Sequence, residues 1–170
     1  NDNNICKLCG EKNSFRQVLD LVNFPKSAQF MPAEHEFKLD FPLTLQVIEC
    51  TRCGLVQLNN DPVDYYKDVI TAASISEESR KILKNEFNPI IKKFNLQNKL
   101  TLEIGSGKGD FLKVLNELNV NAFGLEHKKE SVQLSKEKGL NVIQGYLLDQ
   151  IKISEKFAFI ICNNFLEHQP

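Results

Sequence analysis

An α/β fold is predicted for this chain, a parallel-sheet domain behind a small β-rich module, and three observations predict it. An apolar run of strand length at residues 100–104 breaks into the alternating glycines Gly105, Gly107 and Gly109. It continues with Phe111, Leu112, Val114, Leu115 and Leu118 at helical spacing, the strand, glycine turn and helix that open a parallel crossover. Further strand-length segments follow at residues 122–126, 141–145 and 157–162. Ahead of them stand two Cys-x2-Cys-Gly pairs, Cys6 and Cys9 before Gly10, and Cys50 and Cys53 before Gly54, among short extended segments.

Composition narrows the function classes. The 170 residues give room for one medium domain, or for a small domain and most of a larger one. An apolar content of 42% and a charged content of 25% describe an ordinary soluble protein. A formal net charge of −1 lends nothing to a nucleic-acid or anionic-membrane partner. No apolar run approaches the roughly 20 residues of a membrane span. The opening Asn1-Asp2-Asn3-Asn4 lacks the basic and apolar regions of a signal peptide, and it lacks an initiator Met, as a trimmed chain would. Four of the five cysteines stand in tight pairs, which favours metal binding in a reducing compartment, hence a cytoplasmic protein, over disulfides.

The first element, residues 1–60, is read as a zinc-binding module. Two thiolates at Cys-x2-Cys spacing can hold one ion, and the glycine after each pair permits the turn. Two such knuckles supply the four soft ligands of tetrahedral Zn²⁺, and four cysteines leave no open coordination position, so the role is structural. Residues 15–21 alternate as a strand does. Residues 37–45 and 45–48 read as extended segments interrupted by Pro42, and residues 55–58 as another short strand. His35 is read as a solvated loop residue. The turn Asn59-Asn60-Asp61-Pro62 ends the module.

A connector, residues 61–98, follows. Its adjacent Tyr65 and Tyr66 are expected to pack their rings with the hydroxyls at the surface, the rival role being contact with substrate or cofactor. Ser74 and Glu77 have capping-box spacing, and Ile82, Leu83, Phe87, Ile90, Ile91 and Phe94 repeat at helical spacing. Pro89 is expected to kink this helix or to start a second one.

Residues 99–170 begin the ligand domain. A dinucleotide fingerprint requires Gly or Ala where Asp110 stands, and a carboxylate there opposes a pyrophosphate at the helix N-terminus. Glu103 adds a second negative charge at the strand end. A carboxylate about 5 Å from a unit positive charge gains roughly 3 kcal/mol at an effective dielectric near 20, and the same arithmetic penalises a phosphate. The residue types therefore suit S-adenosylmethionine, which carries a sulfonium and an ammonium and no phosphate, over Gly105, Ser106 and Gly107. Glu126, with His127 beside it, ends the second strand where a carboxylate can accept both hydroxyls of a ribose. Residues 131–138 form a polar helix with Val132 and Leu134 inward. Tyr146 and Leu147 offer an apolar wall for adenine. The fourth segment, residues 157–162, is apolar throughout, as a strand buried on both faces is, and Cys162 is read as a buried apolar residue. Asn163 and Asn164 follow at its carboxyl end, where open α/β sheets bind ligands.

Several of these features stand in one order: the first Cys-x2-Cys-Gly, Val18-Leu19-Asp20-Leu21, Phe41-Pro42-Leu43, the second cysteine knuckle running into Leu55-Val56-Gln57-Leu58, Glu103-x-Gly105-x-Gly107-x-Gly109, and Asn164-Phe165-Leu166-Glu167-His168. In this the chain resembles the zinc-containing sugar methyltransferases typified by the C-methyltransferases of nucleotide-linked deoxysugars. The resemblance implies a Rossmann-like class I methyltransferase domain, a structural Zn²⁺, S-adenosylmethionine as cofactor and a sugar or sugar-nucleotide acceptor for C- or O-methylation. No catalytic residue is assigned; Tyr65, Tyr66 and His168 are the candidates. Ala158 and the adjacent Tyr65-Tyr66 depart from the family pattern. By that pattern the domain stops after its fourth strand. The rest of the sheet and a C-terminal domain of the same enzyme are expected to be missing, and the 170-residue piece is expected to be inactive. The alternative is a zinc-ribbon binding module beside a non-catalytic α/β domain that recognises nucleic acid or a protein partner.

Overall fold

The computed structural model describes residues 5–26, 31–63, 65, 74–147, 149 and 153–169, with nothing assigned to the side chain of Leu39. The chain divides into two compact units, residues 1–69 and residues 70–169.

The first unit is an antiparallel sheet of β1 (Phe15–Phe24), β2 (Leu43–Cys50) and β3 (Val56–Leu58), with β2 in the centre. Along β2 the half-buried Leu43, Leu45 and Val47 alternate with exposed Thr44 and Gln46, the period-2 pattern of a strand with one covered face. Arg16 lies opposite Glu49 in the register and its guanidinium donates to that carboxylate. The β1–β2 register shifts between Gln17 and Leu19 and again between Leu21 and Phe24. Asn23, with φ 58°, lies within the second shift, where a bulge admits a left-handed residue. One expectation is corrected here. Part of the segment read as extended, residues 37–45, is helical, because Glu34–Leu39 form a 3-10 helix. The Ala33 N–H donates to Glu36 Oε2 at 2.9 Å, and this local closure overrides the apolar pattern that suggested a strand. Among the described residues only Cys6, Ile48 and Cys50 of this unit are buried, whereas Val18, Val22 and Phe24 are 51%, 66% and 43% exposed.

The second unit is a parallel sheet with helices. Its strands are β4 (Leu100–Ile104), β5 (Asn121–Glu126), β6 (Asn141–Gln144) and β7 (Phe159–Cys162), in the spatial order β6-β5-β4-β7. Counted by appearance this is the order 3-2-1-4 of a doubly wound Rossmann-like sheet, and the order reverses beside β4. The helices are α1 (Glu77–Lys93), α2 (Asp110–Glu117) and α3 (Lys129–Glu137). Phe111, Leu112, Val114 and Leu115 of α2 are all buried, as their spacing predicts, and join Ile91, Ala122, Val132 and Val142 in one core.

Four local expectations differ from the structure. Leu134 of α3, expected inward with Val132, is 42% exposed, because Val132 and Ser135 occupy the buried face. The cap of α1 is Ser76, whose Oγ accepts the Ser79 N–H at 3.1 Å, so the Ser74/Glu77 box is not used. The Ser76 cap places Glu77 and Glu78 in the first turn, where the helix dipole favours them. Pro89 lies inside a continuous helix. The buried Ile91, with Leu83 and Phe87 against the core, holds the helix together across the lost hydrogen bond. Finally, β7 is not covered on both faces: Ile160 is 57% exposed and Cys162 only half-buried. The near-continuous apolar run hid the difference between its faces. Among the described residues no helix is long and apolar enough to cross a membrane.

Candidate functional site

The first unit gathers its cysteines as the spacing predicts. The Sγ atoms of Cys6, Cys9, Cys50 and Cys53 all lie within 4.8 Å of one another. Cys6 Sγ is 3.5 Å from Cys53 Sγ, and Cys9 Sγ is 3.7 Å from Cys50 Sγ. A tetrahedron of Zn–S bonds of about 2.3 Å has edges near ~3.8 Å, so the donor set fits that ion; a disulfide needs about 2.05 Å. The two knuckles are built alike. The Gly10 N–H donates to the Cys6 carbonyl at 2.9 Å and the Gly54 N–H to the Cys50 carbonyl at 2.8 Å. Both glycines adopt left-handed φ, 70° and 77°. The N–H of Cys6 and that of Cys50 reach across each turn to the carbonyls of Glu11 and Leu55. Crowding makes the thiols unequal. The Cys9 N–H draws the Cys6 thiol down to about 6. The Leu55 N–H favours ionised Cys53, yet burial and the neighbouring thiols push it up to about 12. Four thiolates at this spacing need a cation among them.

The glycine loop of the second unit joins β4 to α2. Gly105, Gly107 and Gly109 all have positive φ, 74°, 53° and 77°. A Cβ on Gly105 would lie 2.4 Å from the Phe165 ring, and one on Gly109 2.4 Å from Leu140 Cδ1. Four N–H groups of this loop are spent on the protein itself. The N–H groups of Gly105 and Ser106 donate to the Leu125 carbonyl at 2.9 and 3.2 Å, and the Gly109 N–H to the Ser106 carbonyl at 2.9 Å. The Gly107 N–H donates to Glu126 Oε2 at 2.9 Å. Glu126 also receives the Lys128 N–H on Oε1 at 2.8 Å, and His127 Nδ1 lies 3.2 Å from that same oxygen. The carboxylate predicted to meet a ribose thus also ties the end of β5 to the glycine loop. Glu126→Ala strands both N–H groups; we expect a loss of about 2–4 kcal/mol of stability in urea denaturation. An unshifted midpoint would show that the loop keeps its shape without it.

Glu103, the penultimate residue of β4, has 4% of its surface exposed, and its Oε2 has no hydrogen-bond partner. Burial, then the charges of Glu126 and Asp110, push its carboxyl up to about 8. Ser106 Oγ is a second buried polar atom without a partner.

Around the loop stands an aromatic group. The Tyr146 ring lies 5.7 Å from that of His127 and 6.1 Å from that of Phe165, both edge-on. The side chains of Tyr146 and Gln169 share a hydrogen bond, and Gln169 Nε2 donates to the Phe165 carbonyl at 3.2 Å. The structure therefore brings Glu103, Gly105, Ser106, Gly107, Glu126, His127 and Tyr146 to one end of the sheet. Leu147 is 38% exposed. Asn163 is half-buried, and Asn164 is exposed with φ 52°, a left-handed turn residue. His168 is exposed, 3.8 Å from Glu167. Tyr65 belongs to the first unit, and Tyr66 lies outside the described residues. Sequence reasoning did not select Phe165 and Gln169 as site residues. The sequence signals for Phe165 are its place in the Asn164-Phe165-Leu166-Glu167-His168 stretch and its position three residues after the fourth strand.

The sequence profile of the family described as methionine biosynthesis protein MetW matches residues 84–169. The chain belongs to the MetW family. The match to MetW covers the sheet and the glycine loop and does not extend to the four cysteines. No curated protein sequence matches the chain. Among solved structures the chain is similar to magnesium protoporphyrin IX methyltransferase (ChlM) from Synechocystis PCC 6803 with bound SAM, at 16% identity and TM-score 0.46, over 65% of this chain and 54% of that one. It is similar to DesVI of Streptomyces venezuelae at 13% identity and TM-score 0.44, over 51% of this chain and 37% of that one. It is also similar to a S-adenosylmethionine-dependent methyltransferase from Clostridium acetobutylicum ATCC 824 at 19% identity and TM-score 0.43, over 49% of this chain and 36% of that one. The chain thus spans less than two thirds of each of these structures.

Proposed function

We propose that the second unit binds S-adenosylmethionine over Gly105 and Gly107, and that the chain serves methyl transfer to a sugar or sugar nucleotide. One observation carries the reading. The N–H groups of Gly105, Ser106, Gly107 and Gly109 all go to protein acceptors, one of them a carboxylate, while a buried oxygen of Glu103 accepts nothing. A phosphate ligand needs the reverse, a loop of unspent N–H donors and no buried acid. The site is short of positive charge, and S-adenosylmethionine brings a sulfonium and an ammonium. In this reading Glu103 faces the methionyl end. Glu126 takes the ribose, its Oε2 keeping capacity beyond the single Gly107 N–H. His127 with Tyr146 or Leu147 flanks the adenine, and Asn163 or Asn164 lines the methionine side. Bound there, the cofactor supplies the electrophilic methyl group; the chain supplies orientation and charge placement. The four cysteines hold a structural Zn²⁺, a reading supported by their spacing and donor chemistry. The sugar acceptor rests on the sequence resemblance alone, and Tyr65, Tyr66 and His168 stay candidates without an assigned role.

Titration calorimetry of the full chain with S-adenosylmethionine, S-adenosylhomocysteine and NAD tests the cofactor. We expect either S-adenosyl ligand to bind at least tenfold more tightly than NAD. Tighter binding of NAD would overturn the reading.

A further inference from the structure

Glu103 is an acid in an unusual place. It is the penultimate residue of the strand at which the sheet order reverses, with 4% of its surface exposed, and one oxygen lacks any partner. Among the described residues, the charged and titratable groups that bear on it come from each neighbouring element and include no cation. Glu126 comes from β5 and Asp110 from α2, and Cys162 of β7 feels the Glu103 charge in turn. Glu126 has an N–H donor on each oxygen, from Gly107 and Lys128. Two carboxylates that share so little solvent do not both stay ionised unless a positive group joins them. Glu103 is the one without donors, so Glu103 carries the proton.

We propose that the cationic ligand displaces this proton, so that loading the glycine-loop site is coupled to release of one proton from Glu103. The inference rests on the cofactor reading above and deepens it. It makes Glu103 a discriminator of charge as well as of shape. A neutral nucleoside offers nothing to exchange for the proton, whereas an ammonium or sulfonium replaces it at the same oxygen. The upward shift of the carboxyl to about 8 agrees with the geometry and sets the window, in which the exchange is nearly complete at pH 6.5 and fades above pH 8.

The experiment is calorimetric titration of the full chain with S-adenosylmethionine and, separately, adenosine, at pH 6.5 in buffers of low and high ionisation enthalpy. At that pH the ligand's own amino group is protonated and does not contribute. We expect close to one proton released per S-adenosylmethionine bound and none per adenosine. Affinity for S-adenosylmethionine should rise up to tenfold per unit between pH 6 and pH 7. In Glu103→Gln the proton release should vanish and the affinity should lose its pH dependence; a circular dichroism spectrum like that of the parent chain shows the variant to be folded. Tight binding of S-adenosylmethionine with no buffer dependence would overturn the proton exchange and leave the cofactor reading intact. Failure of S-adenosylmethionine to bind at either pH would overturn both.

Discussion

Removing the proposed Zn²⁺ from the full chain is expected to unfold the first unit while the second remains folded. The expectation follows from how little else holds the first unit together. Among its described residues only Cys6, Ile48 and Cys50 are buried, and two of those three are members of the thiol cluster. Its ion pairs, Arg16–Glu49 between strands and Arg52–Glu11 between the cysteine knuckles, have arginines 69% and 67% exposed, and pairs of that kind contribute about 0–1 kcal/mol. A structural Zn²⁺ contributes apparent energies of about 10–16 kcal/mol in zinc-finger peptides, more than the whole stability of most domains. Without it four crowded thiols replace one coordinated ion, and the exposed Val18, Val22 and Phe24 offer no alternative core. Chelation should release one zinc per chain, read with a colorimetric indicator. Amides of β1 and β2 should then lose protection in hydrogen exchange, while β4 and β5 keep theirs. Cys50→Ser should give the same pattern, because Cys50 has no exposed surface and its N–H closes the second knuckle onto Leu55. Full protection of β2 in zinc-free protein would show that the sheet stands on its own packing.

The parts of the molecule that were readable in advance are those in which chemistry dictates residue type at fixed spacing. Cys6, Cys9, Cys50 and Cys53 announce a four-thiol cluster because tetrahedral coordination needs paired ligands, and their Sγ atoms do converge. The alternating Gly105, Gly107 and Gly109 announce a turn between strand and helix because each position has positive φ. What was not readable depends on tertiary partners. The Ser74/Glu77 spacing points to Ser74 as the helix cap, and only the folded chain shows that Ser76 takes that place. Pro89 reads as a break, yet the burial of Ile91 outweighs it. Phe165 packs over Gly105 from the far end of the sequence, and no local pattern announces that contact. The destination of the loop N–H groups was equally hidden, since backbone donors leave no trace in residue type. Their pairing with Leu125 and Glu126 is the observation on which the proposed cationic ligand rests.

Replacing Glu103 by glutamine is expected to stabilise the second unit by a few kcal/mol at pH 8, the opposite of what loss of a buried hydrogen-bonded side chain does. The carboxyl titrates near 4.5 in an unfolded chain and is pushed up to about 8 by burial and by the charges of Glu126 and Asp110. Between those two values the folded chain retains a proton that the unfolded chain has shed. Stability therefore falls as pH rises across that window and levels off above it. The full separation of the two values corresponds to at most about 5 kcal/mol, and water reaching the site lowers it. Glutamine keeps the size and cannot ionise, so the penalty disappears and the pH dependence between 5 and 8 flattens. The measurement is the urea midpoint of the second unit at pH 5, 6, 7 and 8 for both proteins. The two should nearly coincide at pH 5 and diverge steadily toward pH 8, with the variant more stable. A parent chain whose stability holds level over that range would mean that Glu103 finds a compensating positive charge within the fold. In the function proposed above a cationic ligand meets this acid, and its binding would return stability that the buried charge costs at neutral pH.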